Sequence, residues 1–293
     1  MGNVLRAEWQ KMTGNRWTIG LLIWVFPIGA FSLIASLSLM ALLSTTARDN
    51  LYLQLWTEAF MMPWSFINNM FGQMFLLGFT AVTFAGEYQW GTWKNILPRQ
   101  RRSQLIIAKF INIGVLILIT FTLTSLIFGF GYGILSYIAG EPYGPEVTSQ
   151  IVREFLGDYA LEATLAFVSI TITSVYAALA AILMRSILGG VMVGIGISLV
   201  DPLLFTMSLW LSRVLGSAFF LHLARISPFY NIENIKSWVR NDQAVNWMET
   251  SFEMFHEKAP VDSMGFSMLA LASLVLLGIG LVLFLFQRQD ITT

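Results

Sequence analysis

The chain has 293 residues, 56% of them apolar and only 12% charged, and its 17 basic and 17 acidic side chains cancel to zero net charge. An ordinary soluble domain carries about 25% charged residues, and a neutral chain offers no global field to attract nucleic acid. Cysteine is absent and histidine is confined to His222 and His256, which excludes disulfides, thiolate chemistry and an HExxH-type zinc site, and leaves the redox compartment open.

Taken in chain order, residues 1–17 set Arg6, Lys11 and Arg16 around Leu5, Trp9 and Met12. Those three apolar positions fall at i, i+4 and i+7, the pattern of a short helix lying in a membrane interface. The apolar stretch that follows, Ile19 to Leu43, is longer than the ~7 to 15 residues of a signal-peptide core. Arg6 also stands where N-myristoylation needs Ser or Thr.

Continuous apolar runs predict an all-α polytopic membrane protein with six spans, at roughly 18–43, 61–84, 107–138, 160–184, 187–211 and 266–286. Each is long enough, at about 1.5 Å per residue, to cross a ~30 Å hydrocarbon core. Barrel strands would instead alternate apolar and polar residues. No internal repeat or low-complexity linker interrupts the chain, so residues 1–293 read as one transmembrane domain.

Lysine and arginine set the orientation. With a cytoplasmic N-terminus, the inner segments hold ten basic residues (Arg6, Lys11, Arg16, Lys94, Arg99, Arg101, Arg102, Lys109, Arg185 and Arg288) against seven outside. Six spans then place both termini in the cytoplasm, in an inner (cytoplasmic) membrane. Two connections are long: an inner loop at 85–106 and an outer segment at 212–265. The outer one opens with an apolar piece too short to cross, then Pro228, a helix-like stretch with Trp238 and Trp247, and Pro260.

No phosphate-binding GxxxxGK[ST] loop and no GxSxG elbow occurs, so neither nucleotide hydrolysis nor acyl transfer has a recognisable site, and the chain reads as a non-enzyme. Charges deep in the predicted spans are almost absent, Asp201 being the exception. It precedes Pro202, and reads either as a polar contact in a translocation path or as the cap where the helix breaks at the outer boundary. Glu87 leaves span two facing Arg99, Arg101 and Arg102; a salt bridge fixing the loop and a simple excess of inside positive charge are both open.

The run Glu87, Gly91, Thr92, Leu97, Pro98, Arg102 and Lys109 directly after a second span resembles the inner loop of the permease subunits of type-two ABC exporters. The six-span plan, the basic amphipathic start, the SPFYNIEN run between spans five and six and the FQRQD ending resemble that family as layout. The crowded PRQRR stretch and the bulky Trp90 and Trp93 depart from it. The resemblance implies a coupling helix in this loop, with Glu87, Gly91, Thr92, Trp93, Pro98, Arg101 and Arg102 as the coupling residues, docking on a separate ABC ATPase. It further implies that ATP and Mg sit on that partner, that no cofactor or metal sits in this chain, and that a second permease subunit, the same or similar, completes the path. Small-residue spacings at Gly129 to Gly133 and Gly190 to Gly194 permit close helix approach. In the resembled family Gly190 and Gly194 would face the partner subunit or the path. Spans without charge suit an amphipathic cargo such as a peptide, lipid or drug. An ion-coupled carrier and a non-transporting assembly or sensory protein are the alternatives.

Overall fold

In hydrocarbon every backbone N–H and C=O must find its partner inside its own segment, so an apolar run of this length folds as helix. The computed structural model describes residues 1–93, 100–247 and 249–289, and of Met70, Asp201, Pro202 and Thr250 the backbone alone. Every regular element among the described residues is helical. Four helices are long and apolar enough to cross a membrane: Arg16–Leu43 (α2), Arg102–Ala139 (α5), Ser149–Met184 (α6) and Met264–Arg288 (α9). A fifth, Ile187–Leu215 (α7), is bent by 51° between its halves Ile187–Val200 and Leu203–Leu215. Pro202 lies at the bend; it brings no N–H to the helix and crowds the preceding turn.

The second predicted span falls across two helices, Trp56–Ile67 (α3) and Met70–Gln89 (α4). The break at Asn68–Asn69 is built by side chains and by glycine. Asn69 Oδ1 accepts from the backbone N–H of Gly72 at 3.1 Å, and a Cβ on Gly72 would lie 2.7 Å from the Phe66 carbonyl oxygen. Several helices outlast the apolar runs that predict them; α6 begins at Ser149 where hydropathy alone places the start at residue 160. Polar turns continue a helix beyond hydrocarbon without changing its hydrogen bonding.

The chain divides into two compact units, two of the boundaries falling inside α4 and α6: Met1–Thr83 with Leu97–Ile170, and Phe84–Ile96 with Thr171–Thr293. In the first, α5 is central and packs on the N-terminal helix Gly2–Gly14 (α1), on α2 and on α3. Helices in lipid gain nothing from hiding apolar surface from each other, so close fit holds them together. Accordingly Gly131 leaves room for Ile34, which a Cβ there would approach to 2.7 Å, and the Phe26 and Phe121 rings meet at 4.7 Å.

In the second unit the helix Pro228–Asn241 (α8) lies on α9. Ser227 caps α8 through Tyr230 N at 3.3 Å and Pro228 occupies its first turn, where the missing N–H costs nothing. A small core of Ala218, Leu221, Ala224, Tyr230 and Phe252 holds the rest of the segment together.

The N-terminal helix forms, and of the apolar positions Leu5, Trp9 and Met12 only Met12 is fully buried against the chain. Val4, Glu8 and Met12 are the buried residues, while Leu5 and Trp9 are only half-buried. An ion pair made by Glu8, described next, lies on that buried stripe.

Candidate functional site

The run that carries the resemblance begins as a helix stop. Gly91 has φ +63°, its N–H donates to the Tyr88 carbonyl at 3.2 Å, and the Thr92 N–H donates to the Glu87 carbonyl at 3.1 Å. This is a Schellman cap, in which a left-handed residue lets the chain turn back and satisfy the last carbonyls of α4. The spacing Glu87, Gly91, Thr92 is therefore a terminating geometry as well as a sequence pattern.

Immediately past the cap, Trp93 is buried and its ring lies 4.7 Å from Phe286 and 5.6 Å from Tyr88. Tyr88 Oη donates to Gln289 Oε1, and Gln289 Nε2 donates to the Ile182 carbonyl at 2.8 Å. Within the second unit, the end of α4, the end of α6 and the end of α9 thus meet at one knot of side chains around Trp93. Glu87 is buried, whereas Trp90 is exposed. Arg101 is the exposed N-cap residue of α5 and Arg102 its first helical residue. Pro98, with Lys94, Leu97 and Arg99, lies outside the described residues.

Lys109 ends up elsewhere than in the basic loop. It is buried in the first turns of α5, where Nζ lies 2.9 Å from Glu8 Oε2 and donates to the Thr83 carbonyl at 3.0 Å. One turn along, Asn112 Nδ2 donates to the Leu5 carbonyl at 2.9 Å. Together they fasten α1 to α5 within the first unit. Sequence reasoning missed this pair because Glu8 sits between basic residues on what reads as a solvated face. The available signal was that Glu8 falls at i+4 from Val4 and i−4 from Met12. Loss of hydration, and then the charge of Lys109, lower the Lys11 ammonium to about 8, against the opposing pull of Glu8.

The segment between α7 and α9 closes on Asp262, also unforeseen. Arg225 grips its carboxylate with two nitrogens, and Tyr230 Oη donates to Oδ2 at 2.8 Å. The Asp262 carbonyl accepts from Asn234 Nδ2 at 3.0 Å and from Trp238 Nε1 at 2.9 Å. Asn234 Nδ2 also reaches Ser267 Oγ on α9 at 2.9 Å. The SPFYNIEN run supplies the cap, the phenol and the amide of this clasp. Burial first, then the bond to Asp262, hold the Tyr230 phenol above its usual range.

Asp201 lies at the bend of α7, where a helix break was one of the two readings; the helix bends there but continues. Gly190 packs on the preceding helix, a Cβ there lying 3.0 Å from Ala181 Cα, and Gly194 is buried. Gly129 and Gly133 make room for Phe60 and Tyr143. The expectation of nearly uncharged helices needs amending: besides Lys109, the carboxylate of Glu162 is buried within α6, its residue 5% exposed. Among the described residues no three His, Asp or Glu side chains gather as metal ligands would.

Compared with known proteins, the chain matches no family model and no curated sequence.

Proposed function

We propose that the chain is the membrane-spanning permease subunit of an ATP-driven exporter, moving an amphipathic cargo while a separate ABC ATPase supplies the energy. One observation carries this choice: Trp93, at the mouth of the inner loop, is fastened through Phe286, Tyr88 and Gln289 to the ends of α6 and α9. A push delivered to that loop therefore reaches two long apolar helices through packed rings and hydrogen bonds rather than through a slack tether. The ATPase would bias two arrangements of these helices by binding one of them better. Glu87, Gly91 and Thr92 form the stem of the lever, Arg101 and Arg102 its far foot, and a second permease subunit, the same or similar, the other wall of the path. The six-span layout, with both termini in the cytoplasm of the cell membrane, belongs to the same proposal.

Because the chain has no cysteine, single cysteines can test it without background. Cysteines at Trp90 and Gln100 should react with an impermeant maleimide only from the cytoplasmic side. Trp93→Ala, in complex with the ATPase, should keep ATP hydrolysis but lose most cargo export. Labelling from outside, or hydrolysis of ATP by the purified chain alone, would end the proposal. The buried carboxylate of Glu162 favours the ion-coupled alternative, which transport under an ion gradient without ATP would select.

A further inference from the structure

Phe155, Tyr159, Glu162 and Ser169 lie on one face of α6, at i, i+4, i+7 and i+14. Contacts within the first unit fix what that face meets. Phe155 packs on Trp56 at 4.8 Å and Tyr159 on Trp64 at 6.3 Å, and Ser169 Oγ accepts from Gln73 Nε2 at 2.9 Å. Glu162 therefore faces the stretch between Trp64 and Gln73, which is where α3 stops and α4 starts. It is also the last charge on α6, which runs on to Met184 without another.

Three further features meet there. First, the backbone is broken at Asn68–Asn69 between α3 and α4, and helix ends leave backbone groups that need partners. Second, the side-chain oxygen of Asn68 is buried without a hydrogen-bond partner, an acceptor open to a donor, beside the Trp64 ring, whose residue is 1% exposed. Orphaned groups of this kind cost stability and are kept where something else satisfies them. Third, Phe121, whose ring is 5.7 Å from that of Trp64, also lines an apolar cleft of about 350 Å³ with Phe26, Phe66 and Phe75.

A carboxylate approached over aromatic faces, with an amide oxygen nearby, recognises a cation whose hydration is weak. A metal ion would need more oxygen ligands than are gathered here. We propose that Glu162, Trp64 and Asn68 bind the ammonium group of an apolar amine: Glu162 and Asn68 Oδ1 accept from it, the indole faces it, and its apolar body occupies the cleft beside Phe121. As the cargo class of an exporter this rests on the permease proposal; as a binding site it stands alone.

The test uses the full chain in lipid nanodiscs, without ATPase or nucleotide, titrated with phenylbutylammonium and with phenylbutanol, its neutral counterpart, by calorimetry. The amine should bind saturably, and the alcohol about tenfold or more weakly. Glu162→Gln should weaken the amine about tenfold and leave the alcohol unchanged, and Glu154→Gln, an exposed charge on the same helix, should change neither. Should Glu162→Gln fail to fold, Trp64→Phe, which keeps a ring but removes the N–H and narrows the π face, should weaken the amine about threefold. Equal affinity for amine and alcohol, or amine binding indifferent to Glu162 and Trp64, overturns the site while leaving the lever untouched. Failure of the lever tests with intact amine binding does the reverse.

Discussion

Glu8 and Lys109 form a buried ion pair at 2.9 Å, side chains 5% and 1% exposed, that joins the N-terminal helix to the start of α5. A charge stripped of water and of its partner is far more costly than the pair, so removing one member should destabilise by about 3 to 5 kcal/mol. Glu8→Ala and Lys109→Ala should each lower the melting temperature of the purified protein strongly. Glu8→Leu with Lys109→Met should recover most of the loss, because it removes both charges and refills the space. A double variant no better than the singles would show that the pair does not act as a unit.

Lys11 gives the same junction a pH dependence. Its ammonium is held near 8 in the folded chain against an ordinary 10.5, by desolvation first and then by Lys109. Between those two values the unfolded chain binds more protons than the folded one, so stability rises with pH across about 8 to 10.5 and the penalty is fully present below 8. Lys11→Met should remove that rise. Melting temperatures of the two proteins across this range provide the measurement; an unchanged slope in the variant would assign the effect elsewhere.

Gly91 tests the helix stop. A residue with a Cβ at φ +63° costs roughly 1 to 2 kcal/mol, less for Asn, whose side chain tolerates the left-handed region. Gly91→Val should therefore destabilise more than Gly91→Asn. On the permease proposal, the valine variant paired with the proposed ATPase should also lose more export per ATP hydrolysed, since the turn below Trp93 is re-aimed. Equal stability of the two variants would mean that the cap is not maintained in the membrane.

Much of the architecture is readable as long apolar runs, because hydrocarbon leaves a spanning segment few options besides helix. Where prediction and structure part, a polar side chain finds a partner, near or far, that hydropathy does not register. Glu8 on the N-terminal helix pairs with Lys109; Asn69 and Gly72 split the second predicted span; and Asp262, alone in sequence, collects Arg225, Tyr230, Asn234 and Trp238. Hydropathy averages over such residues. Asp201–Pro202 is the counter-example, where proline is a local breaker and the bend could be foreseen. Gly91 and Thr92 were legible as a spacing, but that the spacing is a cap required the carbonyls of Tyr88 and Glu87.

Asp262 holds the segment between α7 and α9 through both its side chain and its carbonyl. Asp262→Ala leaves Arg225 and Tyr230 without their acceptor and should cost about 3 kcal/mol or more, whereas the Asn234 and Trp238 bonds to the backbone survive. Local opening should then outrun global unfolding. Trypsin should cut faster at the exposed Arg240 and Lys258, with little change at the α1 junction. Cleavage at the parental rate would show that the carboxylate is dispensable to the clasp.

The break in the second predicted span makes the sharpest steric demand. A Cβ on Gly72 would lie 2.7 Å from the Phe66 carbonyl oxygen and 2.8 Å from Ile67 Cα, both backbone atoms that no rotamer change can move. Gly72→Ala should therefore cost more than the ~1 to 3 kcal/mol usual for overpacking, or else shift the α3 end away from α4. Gly20→Ala, where a Cβ meets nothing within 4 Å, should be neutral or slightly stabilising, as alanine is the better helix former. If the shift occurs, amine affinity at Glu162 should fall together with stability, since Asn68 moves with the break. Retained stability with retained amine binding in Gly72→Ala would show that the two helices do not approach as closely as Phe66 and Gly72 require.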